Sequence, residues 1–216
     1  MKRELFASAS GDRWNQNAVV GGQPSAAYAY ISGYCEAADK LTEIALISGP
    51  KDTLFFPICF NYRHYVELAL KYLIIAVEDY HSILRQLGQG EGKLIKSAKP
   101  KIVYEHGLQP LLDWFVERLE LVTDTKLSSD VCAIIKQLHE MDPSGQIFRY
   151  PFKKDGSLML LEQRRFDLVN IRTLMQEVEG ELSGVDIWLK YNTDQALEYC
   201  VMLQEEATDS ALEIDF

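Results

Sequence analysis

Arg63, Glu67 and Lys71 recur at intervals of four within an otherwise largely apolar stretch, residues 58–77, that also holds Asn61 and His64. Residues four apart share one face of a helix, so neighbours in this row can form ion pairs. The apolar residues around the row predict burial, and buried charges persist only when paired and hydrogen-bonded. At a surface each pair would contribute only about 0.3–0.5 kcal/mol, whereas a partner left alone in the interior would cost roughly 3–5 kcal/mol. The row is therefore either an ion-pair ladder that fixes helix register or an anion site. His64, one residue round from Arg63, can reach a different neighbour.

Two further segments supply partners for this row. Tyr104-Glu105-His106-Gly107-Leu108 places His106 just ahead of a helix start, where backbone donors are free. Glu140 to Pro151 brings two carboxylates, Arg149 and Tyr150, and Asp142 before Pro143 is suited to starting a turn. On RNA, His64 and His106 would serve as general acid and base. One imidazole would take the ribose 2′-hydroxyl proton and the other would protonate the leaving oxygen, with Arg63 or Arg149 stabilising the phosphorane charge. Glu67 would orient Arg63 or Lys71, and Arg149 and Tyr150 would face the ligand. His81 and His139 fall on helix surfaces or ends and read as structural. With no i, i+4 histidine pair, no H-E-x-x-H and no cysteine cluster, neither a metal nor a cofactor is expected. Gly21 and Gly22, without a P-loop or G-x-G-x-x-G pattern, read as a turn rather than a phosphate cradle. Trp14, Trp114 and Trp188 read as core or interface.

The elements that must position these groups are helical. Tyr28, Ile31, Cys35, Ala38, Leu41 and Ile44 predict a first helix from about Gln23 to Ile47, with Pro24 in its first turn and Ser48-Gly49-Pro50 as its stop. Thr53 is a candidate N-cap for a second helix running to about Leu87, with Pro57 tolerable near its start. The glycines at 88, 90 and 92 and the lysines after them predict a long loop. A third helix starts near Leu108 and continues through Leu119, and Ser128 or Ser129 caps a fourth that ends before Pro143. The apolar runs flanking Lys153-Lys154-Asp155-Gly156 predict a β-hairpin over 146–161. A fifth helix is expected through Phe166–Val178 and a sixth from Asp194 to about Glu206. The acidic tail, about 205–216, is expected to fray.

A length of 216 residues and a hydrophobic content of 47% suit one domain over 1–216, with a helical core at about 23–207. The net charge of −10 argues against general coating of nucleic acid, because such affinity comes from cations that neutralise phosphates. Lys93, Lys96, Lys99 and Lys101 still form a local basic stretch, either a polyanion contact or a solvated loop. Four widely spaced cysteines predict free thiols in a cytoplasm. Met1–Ser10 lacks a signal-peptide core, and the apolar stretch of near membrane length carries the charged row, so neither secretion nor a membrane span is expected.

The run Arg-His-Tyr-Val-Glu-Leu-Ala-Leu-Lys at 63–71, followed by His-Gly-Leu-x-x-Leu-Leu at 106–112, resembles the HEPN superfamily of helical bundles. Members often show Glu-Leu-x-Leu-Lys and then His-Asp-Leu-x-x-Leu, and the similarity covers roughly residues 25–140. The resemblance implies a mostly α, HEPN-like bundle of about five to six helices, here with a small hairpin insertion. It also implies a place in a bacterial toxin–antitoxin or antiphage defence system, commonly as a homodimer. Ribonuclease members carry Arg, four to six residues, then His, and no arginine here has a histidine at that spacing. Lys101 to His106 comes nearest, and lysine lacks the guanidinium fork. The expectation is therefore a module that binds RNA or a phosphate-bearing nucleotide. The alternatives are a metal-independent endoribonuclease using His64, His106 and Arg63, and a noncatalytic dimeric subunit that binds a partner protein.

Overall fold

Six α-helices dominate a computed structural model that describes residues 7–20, 26–47, 49–89, 96–159 and 164–214. They are α1 (Ala26–Ile47), α2 (Lys51–Gln86), α3 (Lys99–Ile102), α4 (Leu108–Leu119), α5 (Ser129–Met141) and α6 (Leu168–Ile214), preceded by a 3₁₀ turn at Gly11–Gln16. The protein is an all-α bundle with α2 at its centre. Ile58, Val66, Leu70, Ile74 and Val77 of α2 are completely buried, following a helical repeat. Against them lie Ala38 and Ala45 of α1, Leu108, Leu111 and Phe115 of α4, and Val178, Leu182 and Leu189 of α6. α5 closes the bundle by packing on both α4 and α6.

Several expectations hold. Ser128 caps α5 by accepting a hydrogen bond from the Val131 N–H at 3.1 Å, and α5 stops ahead of Pro143. α2 begins at Lys51 behind Pro50, slightly earlier than expected, and the Thr53 hydroxyl donates back to the Pro50 carbonyl instead of capping. Among the described residues no helix is long and apolar enough to cross a membrane. The positions Gln23, Pro24, Gly21, Gly22, Ser48, Gly90, Gly92 and Lys93 lie outside the described residues.

Three expectations are corrected. The fifth and sixth helices are one continuous α6, because Leu182, Val185 and Leu189 carry the apolar repeat across the intervening stretch. Gly180 and Gly184 cost that helix about 1 kcal/mol each relative to alanine, which packing overrides. The tail is helical to Ile214 instead of frayed. The hairpin at 146–161 reduces, among the described residues, to a turn at Gly156 (φ 83°) with one antiparallel bridge between Phe152 and Leu158. Phe152 and Leu158 are about half exposed, so no apolar face holds a strand pair, and an isolated two-stranded pair is marginal in water. Leu160 and Leu161 lie outside the described residues.

Candidate functional site

Arg63 and Glu67 of the charged row on α2 are buried, as the surrounding apolar residues predict, while Lys71 is partly exposed. Arg63 is 3% exposed and Glu67 4%. Arg63 Nη1 donates to Glu67 Oε2 at 2.9 Å, and Lys71 Nζ donates to Glu67 Oε1 at 2.9 Å. The remaining Arg63 contacts reach far along the chain. Its Nη2 donates to the His106 carbonyl at 2.5 Å, and its Nε donates to the Asp142 carbonyl at 3.1 Å and lies 3.4 Å from Asp142 Oδ2. One guanidinium thus fastens to α2 both the turn before α4 and the turn after α5. Its planar fork suits this task, since it presents several donors in fixed directions.

The second of these turns is built around Asp142 and Gly145. The fully buried Asp142 accepts the Gln146 and Ile147 N–H groups at its Oδ1, at 2.8 and 3.0 Å. Gly145 takes φ 74°, and a Cβ there would stand 2.7 Å from Arg63 Nη1. Only glycine meets both the left-handed backbone and the close approach of the guanidinium.

Glu67 collects three donors, since His106 Nδ1 also lies 2.9 Å from its Oε1. Burial alone would raise the Glu67 pKa, but hydrogen bonds from Lys71, His106 and Arg63 outweigh it and hold the carboxyl below its ordinary value. An ionised carboxylate only accepts, so His106 carries its proton on Nδ1 in this contact. Nε2 is left for other work. The His106 side chain is 59% exposed, so an imidazole facing solvent is anchored by a carboxylate in the interior. Such anchoring fixes both ring orientation and tautomer.

His64 sits in an adjoining group of rings. It stacks on Phe60 at 5.5 Å and meets the edge of Tyr34 at 4.4 Å. The exposed Arg149 guanidinium lies over Phe60 at 5.7 Å and over Tyr150 at 5.1 Å, and its Nη2 donates to the Tyr150 hydroxyl at 3.2 Å. Burial lowers the His64 pKa, and the charges of Arg149, Arg63 and Lys71 add to this against Glu67. His64 is therefore neutral near pH 7.

The structure brings Arg63, Glu67, Lys71 and His106 into direct contact and sets His64, Arg149 and Tyr150 beside them. It commits Arg63 to protein groups in the interior. Phe60, Tyr34 and Gly145 were not singled out by the sequence; Phe60 precedes His64 by four residues on α2, which is the signal that could have found it. A second carboxylate was also missed. Glu78, eleven residues after Glu67 on α2, accepts from Arg118 Nε at 2.7 Å, Ser97 Oγ at 2.7 Å and the Ala98 N–H at 2.8 Å. His81, near the end of α2, is buried.

The ligand atoms of Cys35, Asp39 and Glu179 lie within 4.8 Å of one another. Asp39 Oδ1 already accepts the Tyr62 hydroxyl at 2.6 Å and faces Arg172 Nε at 3.2 Å. Burial, together with the neighbouring carboxylates, pushes the Cys35 thiol up to about 12. A metal needs the thiolate, so this cluster reads as a hydrogen-bonded packing element. No protein-family model matches this chain, and neither does any curated protein or solved structure.

Proposed function

We propose that the chain is an HEPN-like module that binds RNA or a phosphate-bearing nucleotide on the polar side of α2. The observation that carries this reading is the exposed Arg149 guanidinium laid over Phe60 and Tyr150, next to His64 at the Arg63 end of the charged row. A cation beside the exposed Tyr150 ring and the partly buried Phe60 ring suits a nucleotide, whose phosphate takes the charge while its base or ribose packs on the rings. Arg149 contacts phosphate, Tyr150 and Phe60 pack against the nucleoside, and Lys71 adds positive charge. Arg63 serves as a positioning residue in this reading, because its guanidinium is enclosed. The free thiols suit a cytoplasmic setting, and the superfamily resemblance suggests a homodimer in bacterial defence or a toxin–antitoxin pair.

The Glu67–His106 contact favours a second reading, a metal-independent endoribonuclease. His106 Nε2 would take the 2′-hydroxyl proton, the 2′-oxygen would attack phosphorus, and a 2′,3′-cyclic phosphate would form as the 5′-oxygen leaves with a proton. His64 is the candidate donor of that proton. Its lowered pKa leaves it neutral near pH 7, which weakens cleavage relative to binding.

The test is a titration of labelled single-stranded RNA with pure protein in EDTA, followed by gel analysis of the RNA. Binding that falls in Arg149→Ala without a change in thermal stability supports the module. Cleavage that disappears in His106→Ala supports the second reading. If Arg149→Ala binds like wild type, the proposed site is wrong.

A further inference from the structure

We propose that residues 96–106 form a docking ridge for single-stranded RNA that leads the strand toward His106; this rests on the nucleotide-binding reading above. The ridge is clamped at both ends by matching carboxylate–arginine pairs. At one end Glu78 accepts from Ser97 and Ala98, while Arg118 Nη2 donates to the Lys96 carbonyl at 3.2 Å. At the other, Glu67 holds the His106 ring and Arg63 holds the His106 carbonyl. Glu67 and Glu78 are eleven residues apart, close to three whole turns, so both clamps act from the same face of α2. Ala98 and Ile102 root the segment in the core at 5% and 3% exposure.

What this held segment turns outward is aromatic and basic. Tyr104 is 83% exposed and Val103 67% exposed. Lys96 and Lys101 are exposed and make no ion pair among the described residues, whereas Lys99 pairs with Asp79. The one carboxylate in the stretch, Glu105, bends back to accept the Gly107 N–H at 2.7 Å. In a chain of net charge −10, this is a local positive surface carrying an accessible ring. An unpaired base can stack on Tyr104 while lysines meet the backbone phosphates. A duplex keeps its base faces covered, so the chemistry selects a single strand.

The experiment is fluorescence anisotropy of the full chain with a labelled twelve-residue oligouridine, with the same strand annealed to oligoadenosine, and with polyglutamate as competitor. Tyr104→Ala is expected to weaken single-strand binding about tenfold, and Tyr104→Phe to restore it. The Lys96→Ala/Lys101→Ala double variant is expected to reduce the log–log salt slope by about 1.4. All three should melt like wild type. If these variants bind oligouridine normally while Arg149→Ala binds weakly, the ridge is wrong and the site on α2 stands. If neither Tyr104→Ala nor Arg149→Ala changes affinity, both readings fall. Equal binding of duplex, or equal competition by polyglutamate, also overturns the ridge, the latter pointing to an acidic protein segment instead.

Discussion

His106 Nδ1 and Glu67 Oε1 stand 2.9 Å apart, joining the turn before α4 to the middle of α2 across 39 residues of sequence. The carboxylate is buried and the imidazole is exposed, so the contact transmits the rigidity of the core to a group at the surface. Arg63 reinforces it by binding the carbonyl of the same histidine. Positioning and stability therefore depend on one network.

Replacing Glu67 with glutamine removes the negative charge opposite Arg63 and Lys71. An uncompensated buried partner costs roughly 3–5 kcal/mol, which for a chain of this size lowers the melting temperature by on the order of 10 °C. The loss is expected to depend on pH. Because the folded pKa of Glu67 lies below its ordinary value of 4.5, its contribution is fully present above that value and fades as pH falls through the lower, folded one. Melting curves of wild type and Glu67→Gln should differ at pH 7 and converge in acid.

Gly145→Ala forces a Cβ against the Arg63 guanidinium and places alanine at φ 74°. Arg63 is held by Glu67, His106 and Asp142 and has little room to yield. We expect a loss of about 1–3 kcal/mol in urea unfolding. Arg63→Lys should also destabilise, since one ammonium cannot serve three acceptors spread around a planar fork. An unchanged urea midpoint in both variants would show that Arg63 is not the fastener described here.

His64 should titrate below the ordinary histidine value of 6.5 when followed by NMR. A histidine with a depressed folded pKa favours the neutral form, so it subtracts stability as pH falls below 6.5 toward its folded value. His64→Phe keeps a ring between Phe60 and Tyr34 and should lack that part of the decline. A His64 midpoint at or above 6.5 would contradict the burial assigned to it.

The parts of this fold that could be read from sequence are those set by local periodicity. The Arg63–Glu67–Lys71 row, the length of α2 and the Ser128 cap all follow from spacing within a few residues. The rest depends on contacts between distant segments. Nothing local shows that Arg63 will bind the carbonyls of His106 and Asp142, or that Arg118 will meet Glu78 forty residues away. The break expected between Val178 and Asp194 is absent because Leu182, Val185 and Leu189 carry the apolar repeat across that stretch. The hairpin was expected from an Asp-Gly turn, but a strand pair also needs a covering face, and Phe152 and Leu158 have none.

The most direct test is the affinity of single-stranded RNA for wild type and Arg149→Ala, measured in EDTA alongside their melting temperatures. Arg149 is exposed, so its removal should leave stability within about 0.5 kcal/mol, while the lost charged contact should weaken binding about tenfold or more. Equal affinity of the two proteins, or no binding by wild type, would contradict a nucleotide site on the polar side of α2.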